Sequence, residues 1–186
     1  MEPKKLLIMQ MLTEHLSAEI GVPGCMFDMR PQPRKDDPSV DERRVYRGRT
    51  IFGEDDPVPA ISILEAPVDP RASTEVASTG TNREQVISEW TLFVQGWVPD
   101  DEENPTDPAY RLAAAIEHRL GLLFAKSRFG NPLDPKTYLL GGRVAEIKIG
   151  ASTVRPVDDL SVHAYCYLPV VLTLAGDVSQ PFEAAE

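Results

Sequence analysis

The sequence predicts an α+β domain: a mixed, mainly antiparallel β-sheet of about five strands packed with two α-helices, in a single domain with long loops. Three observations predict it. Val86–Val98 and residues 160–174 alternate apolar and polar side chains with the period of two that belongs to strands. Two other stretches repeat apolar residues every three or four positions, as helices do. Several strand-like segments follow one another with no helix between them, which favours antiparallel pairing over a doubly wound parallel sheet.

In chain order, the first helix covers residues 3–20. Its stripe is Leu6, Met9 and Leu12, or Ile8 and Leu12, followed by Leu16 and Ile20. Pro3 suits the first turn, and Gly21 then Pro23 stop the helix, giving about 27 Å at 1.5 Å per residue. Short strands are expected at 45–52, 60–64 and 143–153. In Val86–Val98 one face holds Val86, Trp90, Leu92, Val94 and Val98, and the other Glu89, Thr91, Phe93, Gln95 and Trp97. The second helix begins at Asp107, a capping residue, with Pro108 at the first helical position. It presents Tyr110, Ala113, Ile116, Leu120 and Leu123 on one face, and Gly130, Asn131 and Pro132 close it. Arg111, Glu117, His118 and Arg119 lie off that stripe. The last strand, 160–174, sets Leu160, Val162, Ala164, Cys166, Leu168, Val170, Leu172 and Leu174 against a face with His163, Tyr165, Tyr167 and Pro169.

At about 3.3 Å per residue the two long strands would reach on the order of 40 and 50 Å, well beyond the usual strand. Either they bend at Gly96 and Pro169 or their ends find partners beyond the body, and Pro169 favours an edge or a bulge. The strand–helix–strand connection near the end permits one parallel pairing. Irregular loops are expected at 27–44 and 65–85, an acidic one at 100–107, and a short polar tail at 175–186.

The length of 186 residues fits one domain with a real core, and 17 prolines fit its loops. With 19 basic against 29 acidic residues the net charge is −10, which argues against a nucleic-acid clamp. Cys25 and Cys166 stand far apart in unlike contexts, so neither a disulfide framework nor a paired-cysteine metal site is implied, and a reduced setting is expected. Polar residues interrupt the apolar N-terminal run, which argues against a signal peptide, and no apolar stretch is long enough to span a membrane.

Candidate chemistry is sparse. His15, His118 and His163 have no metal-ligand spacing, and they read as two surface helix residues and one on the polar face of a strand. Cys166 falls on an apolar strand face, where a thiol behaves as a small hydrophobe. Cys25 has no activating base nearby in sequence. The run from Asp100 to Asp107 holds five acids but lacks the alternating ligands, turn glycine and terminal glutamate of a calcium loop. It reads as a solvated loop whose charge favours the following helix N-terminus. No phosphate-loop, dinucleotide or nucleophile-elbow motif occurs. The aromatic pairs Phe93 and Trp97, and Tyr165 and Tyr167, could form a base-stacking platform, but acidic neighbours favour packing against a helix or another subunit.

The ordered segments KLLIMQMLTEHLSAEI, VYRGRTIF, VPAISILEAP, EWTLFVQGWV, PAYRLAAAIEHRLGLLF and VHAYCYLPVVLTL, with Ile61, Ser62 and Ile63 as an I-x-I element, resemble the tail-terminator (tail completion or neck) proteins of tailed bacteriophages. The likeness covers roughly residues 4–174 and rests on element order and hydrophobic pattern; the long 27–44 loop departs from the family's short forms. What it implies is a non-enzymatic structural virion subunit, with no cofactor and no metal. Such a subunit closes into a homo-oligomeric ring, commonly a hexamer, at the head–tail junction. Its partners would be the tail tube protein and a neck, connector or head-completion protein, with DNA passing through the lumen without specific binding and no membrane involved. Head-to-tail closure needs two different complementary patches. One is expected at the sheet edge around 45–52, with Arg47 and Arg49, and the other on the second helix, with Arg111, His118 and Arg119. Phe93 and Trp97 would add an exposed strand face. The alternatives are another phage connector or head-closure component and, in a different class, a small metal-binding domain or enzyme using the acidic loop.

Overall fold

A computed structural model describes residues 1–34, 36–67, 86–158, 161–176 and 181–183. Lys35, Leu160, most of the expected 65–85 loop and most of the expected 175–186 tail lie outside the described residues. The chain runs β1 (Glu2–Pro3), α1 (Lys4–Leu16), β2 (Glu19–Val22), β3 (Cys25–Asp28), β4 (Gln32–Pro33), β5 (Asp41–Glu42), β6 (Val45–Arg47), β7 (Ala60–Glu65) and β8 (Val86–Val98). It continues through α2 (Asp107–Gly121), a short turn α3 (Leu139–Gly142), β9 (Glu146–Ile149), β10 (Thr153–Arg155), β11 (Ala164–Gly176) and β12 (Phe182–Glu183).

Six strands form the main sheet in the order β10-β11-β8-β7-β6, with β9 also on β11. Its spine is the antiparallel ladder between β8 and β11, in unbroken register from Ala164 opposite Val98 to Gly176 opposite Val86. Even-numbered residues of both strands face the helices: Trp90, Leu92, Val94 and Val98 from β8, and Ala164, Cys166, Leu168, Val170 and Leu172 from β11 are all buried. Helix α2 lies across them, and it comes close because Gly96 has no side chain there. A Cβ at Gly96 would stand 2.8 Å from Leu112 Cδ2 and 3.1 Å from Ile116 Cδ1. Gly96 therefore marks a close helix approach rather than the bend expected from sequence.

Pro169 sits inside the sheet without costing a ladder bond. Its carbonyl accepts from Gly150 N–H at 2.8 Å, so its own ring nitrogen points the same way, into the gap between β9 and β10. Gly150 makes the gap, since a Cβ there would fall 2.5 Å from the Pro169 ring. The strand expected at 143–153 is broken into β9 and β10 at this point, and no bulge is needed. The one parallel pair among the described residues joins β6 to β7, Val45 opposite Ile61, rather than two strands near the chain end.

Helix α1 stops at Leu16, four residues short of the expected end. Ile20 keeps its core position as a residue of β2, which turns at Pro23 and Gly24 to pair with β3. Gly21 at φ 106° leaves the right-handed helical region. The stripe of α1 is Ile8, Leu12 and Leu16, while Leu6 is exposed. In α2 the buried face is Ala109, Leu112, Ala113, Ala115, Ile116 and Leu120, and Tyr110 points outward. Thr106, not Asp107, occupies the N-cap, and no side chain caps the helix. The helix ends at Gly121, well before the expected Gly130. Part of the expected 27–44 loop folds as a small antiparallel pair, Gln32 opposite Glu42 and Pro33 opposite Asp41. At the other end of the chain Phe182 and Glu183 pair with Pro3 and Glu2, and Arg143 Nε donates to Glu183 Oε2 at 3.0 Å.

Candidate functional site

The sequence-derived interface residues separate into four environments. Arg47 ends β6, an edge strand, and is exposed. It borders a cleft of about 240 Å³ between that edge and α1, together with Arg43, Arg44, Gln10 and Glu14. The strand holds the arginines in place from behind: Ile61 N–H donates to Arg44 O at 2.7 Å and Gly48 N–H to Ile63 O at 3.0 Å. Arg44 Nη2 donates to Gln32 Oε1 at 3.2 Å, while its Nε and Nη1 are buried and meet no acceptor among the described residues.

Arg49 is used within the chain. Its Nη2 pairs with Asp56 Oδ1 at 2.5 Å, and its guanidinium lies 4.3 Å from the Phe52 ring centre and 5.0 Å from that of Tyr46. This clamp closes the 49–59 segment over one corner of the sheet face opposite the helices. Phe52 lies 4.2 Å from Trp97, ring centre to ring centre, and Tyr46, Val58 and Tyr165 complete the cluster. Trp97 is only 4 % exposed. Its expected place on an open strand face is therefore corrected: its own chain covers it. Phe93, four residues back on the same face, is half-buried, edge-on to Tyr167 at 6.1 Å, and carries no such cover among the described residues.

On α2, Arg111 and His118 are both exposed and lie two turns apart on one face. Arg119 turns from them towards α1. Its Nε donates to His15 O at 2.7 Å, and His15 Nε2 meets Arg119 O at 2.7 Å, so the ring donates to a carbonyl that can only accept. This reciprocal pair ties the last turns of the two helices. His15 is thus buried rather than a surface residue; it stands seven positions after Ile8, on the same face, which is the signal in the sequence. Burial lowers the pKa of His15, against the Arg119 carbonyl bond that raises it, and burial also lowers that of the Arg119 guanidinium. A second cleft of about 360 Å³ opens beside them, floored by Met11, Leu123 and Leu140. Next to it Leu139, Leu140, Gly141 and Gly142 all have positive φ, 49°, 54°, 65° and 78°, a left-handed turn costly for the two leucines.

The acidic turn is held by Asp101, whose Oδ1 accepts from the N–H groups of Glu103 at 3.0 Å and Asn104 at 2.8 Å. Among the described residues no three His, Cys, Asp or Glu side chains gather as a metal site would. Cys166 is buried, with its thiol pushed up to about 12 by desolvation, and Cys25 is half-buried. No helix is long and apolar enough to cross a membrane, among the residues described. The sequence singles out Arg47, whereas Arg43 and Arg44 fall within the expected 27–44 loop; only the fold brings the three to one cleft.

Together these features define an α+β protein whose described helices pack on one face of a mainly antiparallel sheet. No protein-family model matches the chain, and no curated protein sequence does.

Proposed function

We propose that the chain is a structural, non-catalytic subunit of a tailed-phage head–tail junction. It closes with copies of itself into a ring, of which six is the expected number, that terminates the tail tube and joins it to the neck or connector. The order of its elements is the basis of the reading. The observation that carries it is the sheet: α1 and α2 pack on one face, while on the other only the Phe52–Trp97 corner is covered among the described residues. Leu64, Phe93, Tyr167 and Val171 share that second face in adjacent registers. A half-apolar sheet face of this kind is suited to burial between subunits. The net charge of −10 also suits a channel wall that must let DNA slide past.

Reconstruction of a virion containing the chain tests this reading. Expected is a closed ring of its density between tube and neck. Density in the connector or head-closure position transfers the chain to that role, and absence from purified particles rejects a virion role altogether.

A further inference from the structure

The cleft between α1 and β6 is strongly charged. Arg43, Arg44 and Arg47 border it against a single acid, Glu14, in a chain whose overall charge is −10. None of the three arginines pairs with a carboxylate among the described residues, whereas Arg30, Arg34, Arg49 and Arg143 all do. The buried, acceptor-free Nε and Nη1 of Arg44 add a specific requirement. A guanidinium edge out of water is costly unless an acceptor, best an anion, meets it.

At about 240 Å³ the cleft is smaller than the roughly 300 Å³ at which small-molecule sites begin, so it suits a protruding charged group rather than a whole cofactor. Both hydroxyls of its α1 wall already donate within the helix, Thr13 to Met9 O at 2.7 Å and Ser17 to Thr13 O at 2.8 Å. The free charged donors are guanidinium groups, whose planar fork matches a carboxylate in two parallel bonds. A duplex phosphate is a poor occupant, because the chain's net charge repels DNA and backbone phosphates do not project on a stem.

The same chain carries a suitable stem-borne anion. Asp100, Asp101, Glu102 and Glu103 are all exposed, and the turn is fixed by Asp101, which leaves the two glutamates without an ion pair among the described residues. The turn leaves the end of β8, two strands in from the β6 border, where the arginine cleft lies. Two different, opposite-charged patches on one subunit are what a head-to-tail contact needs. We propose that the Arg43–Arg44–Arg47 cleft is the socket for the Glu102–Glu103 carboxylates of a second copy of this chain. This rests on the ring reading above and supplies it with a specific contact.

Sedimentation velocity over a concentration series tests it with four proteins: the natural chain, Arg44→Gln, Arg47→Glu, and the double variant Glu102→Lys with Glu103→Lys. Arg47 is exposed, so its variant stands in if Arg44→Gln does not fold, and thermal melts verify each. Expected is self-association of the natural chain that weakens with salt and falls by roughly thirtyfold or more in each variant. An equimolar mixture of Arg47→Glu with the double glutamate variant should recover pairs that grow no further, since only one socket and one acidic turn remain intact between them. If the natural chain assembles and the variants assemble equally well, or the mixture recovers nothing, this inference is overturned and the ring stands. A natural chain that stays single at every concentration removes the ring and this contact together. Binding of a short DNA duplex that is lost in the arginine variants, with assembly unchanged, overturns it in favour of a phosphate site.

Discussion

His15 and Arg119 each give a side-chain hydrogen bond to the other's main-chain carbonyl, so replacing either by a residue without a donor removes one of the two ties between the helix ends. Because burial lowers the folded-state pKa of His15, the unfolded chain takes up a proton more readily. Its contribution is therefore complete above about pH 6.5 and is lost as pH falls from there through the folded value. Arg119 disfavours that proton, and Asp134 favours it less strongly. Thermal melts should show a falling transition temperature from pH 7.5 to 5, and His15→Gln, which keeps a donor but cannot titrate, should flatten that slope. A second residue-level prediction concerns the thiols. With Cys166 pushed up to about 12 and fully buried, native protein should react with one equivalent of an aromatic disulfide reagent, at Cys25, and with a second only on unfolding.

At the scale of elements, two glycines set how closely neighbours approach. Gly96→Ala would drive a methyl into Leu112 and Ile116 and should cost about 1–3 kcal/mol in urea unfolding, with Gly150→Ala, against the Pro169 ring, in the same range. The Phe52–Trp97 corner gives the contrasting case of lost volume: Trp97→Ala should cost about 3–5 kcal/mol and free the segment clamped by Arg49. The long strands were legible because their period of two runs without interruption; the end of β8 at Val98 could be read directly. Helix ends were not. Leu16 to Ile20 is a spacing of four that serves equally for a helical turn and for a core residue entering a hairpin, and pairing with Cys25–Asp28 decides between them. Pro169 signalled an edge, correctly only for the single gap beside it. Trp97 could not be assigned a cover from sequence, because Phe52 reaches it through an irregular segment with no periodicity.

At the scale of the whole molecule, the α+β class followed from two strand periods and two helix periods, and six strands with two principal helices realise it. Of the candidate interface residues, Arg47, Arg111 and His118 stand exposed, Phe93 half so, and Arg49, Trp97 and Arg119 are engaged inside the chain. The reason is that charge and alternation report which face a side chain takes, not what folds over that face. The opposite charges of the β6 border and the 100–103 turn are likewise visible as residue types, but their placement, at the border strand and at the end of β8 two strands in, comes only from the sheet order. The central claim is that this subunit acts in a closed ring of copies. Mass photometry of the purified chain, with electron-microscope class averages of the same sample, tests it most directly. The account predicts a discrete species of ring mass, near six copies, with a central channel, that dissociates as salt is raised. A single population at the mass of one chain, unchanged by concentration or by added tail tube protein, would contradict it.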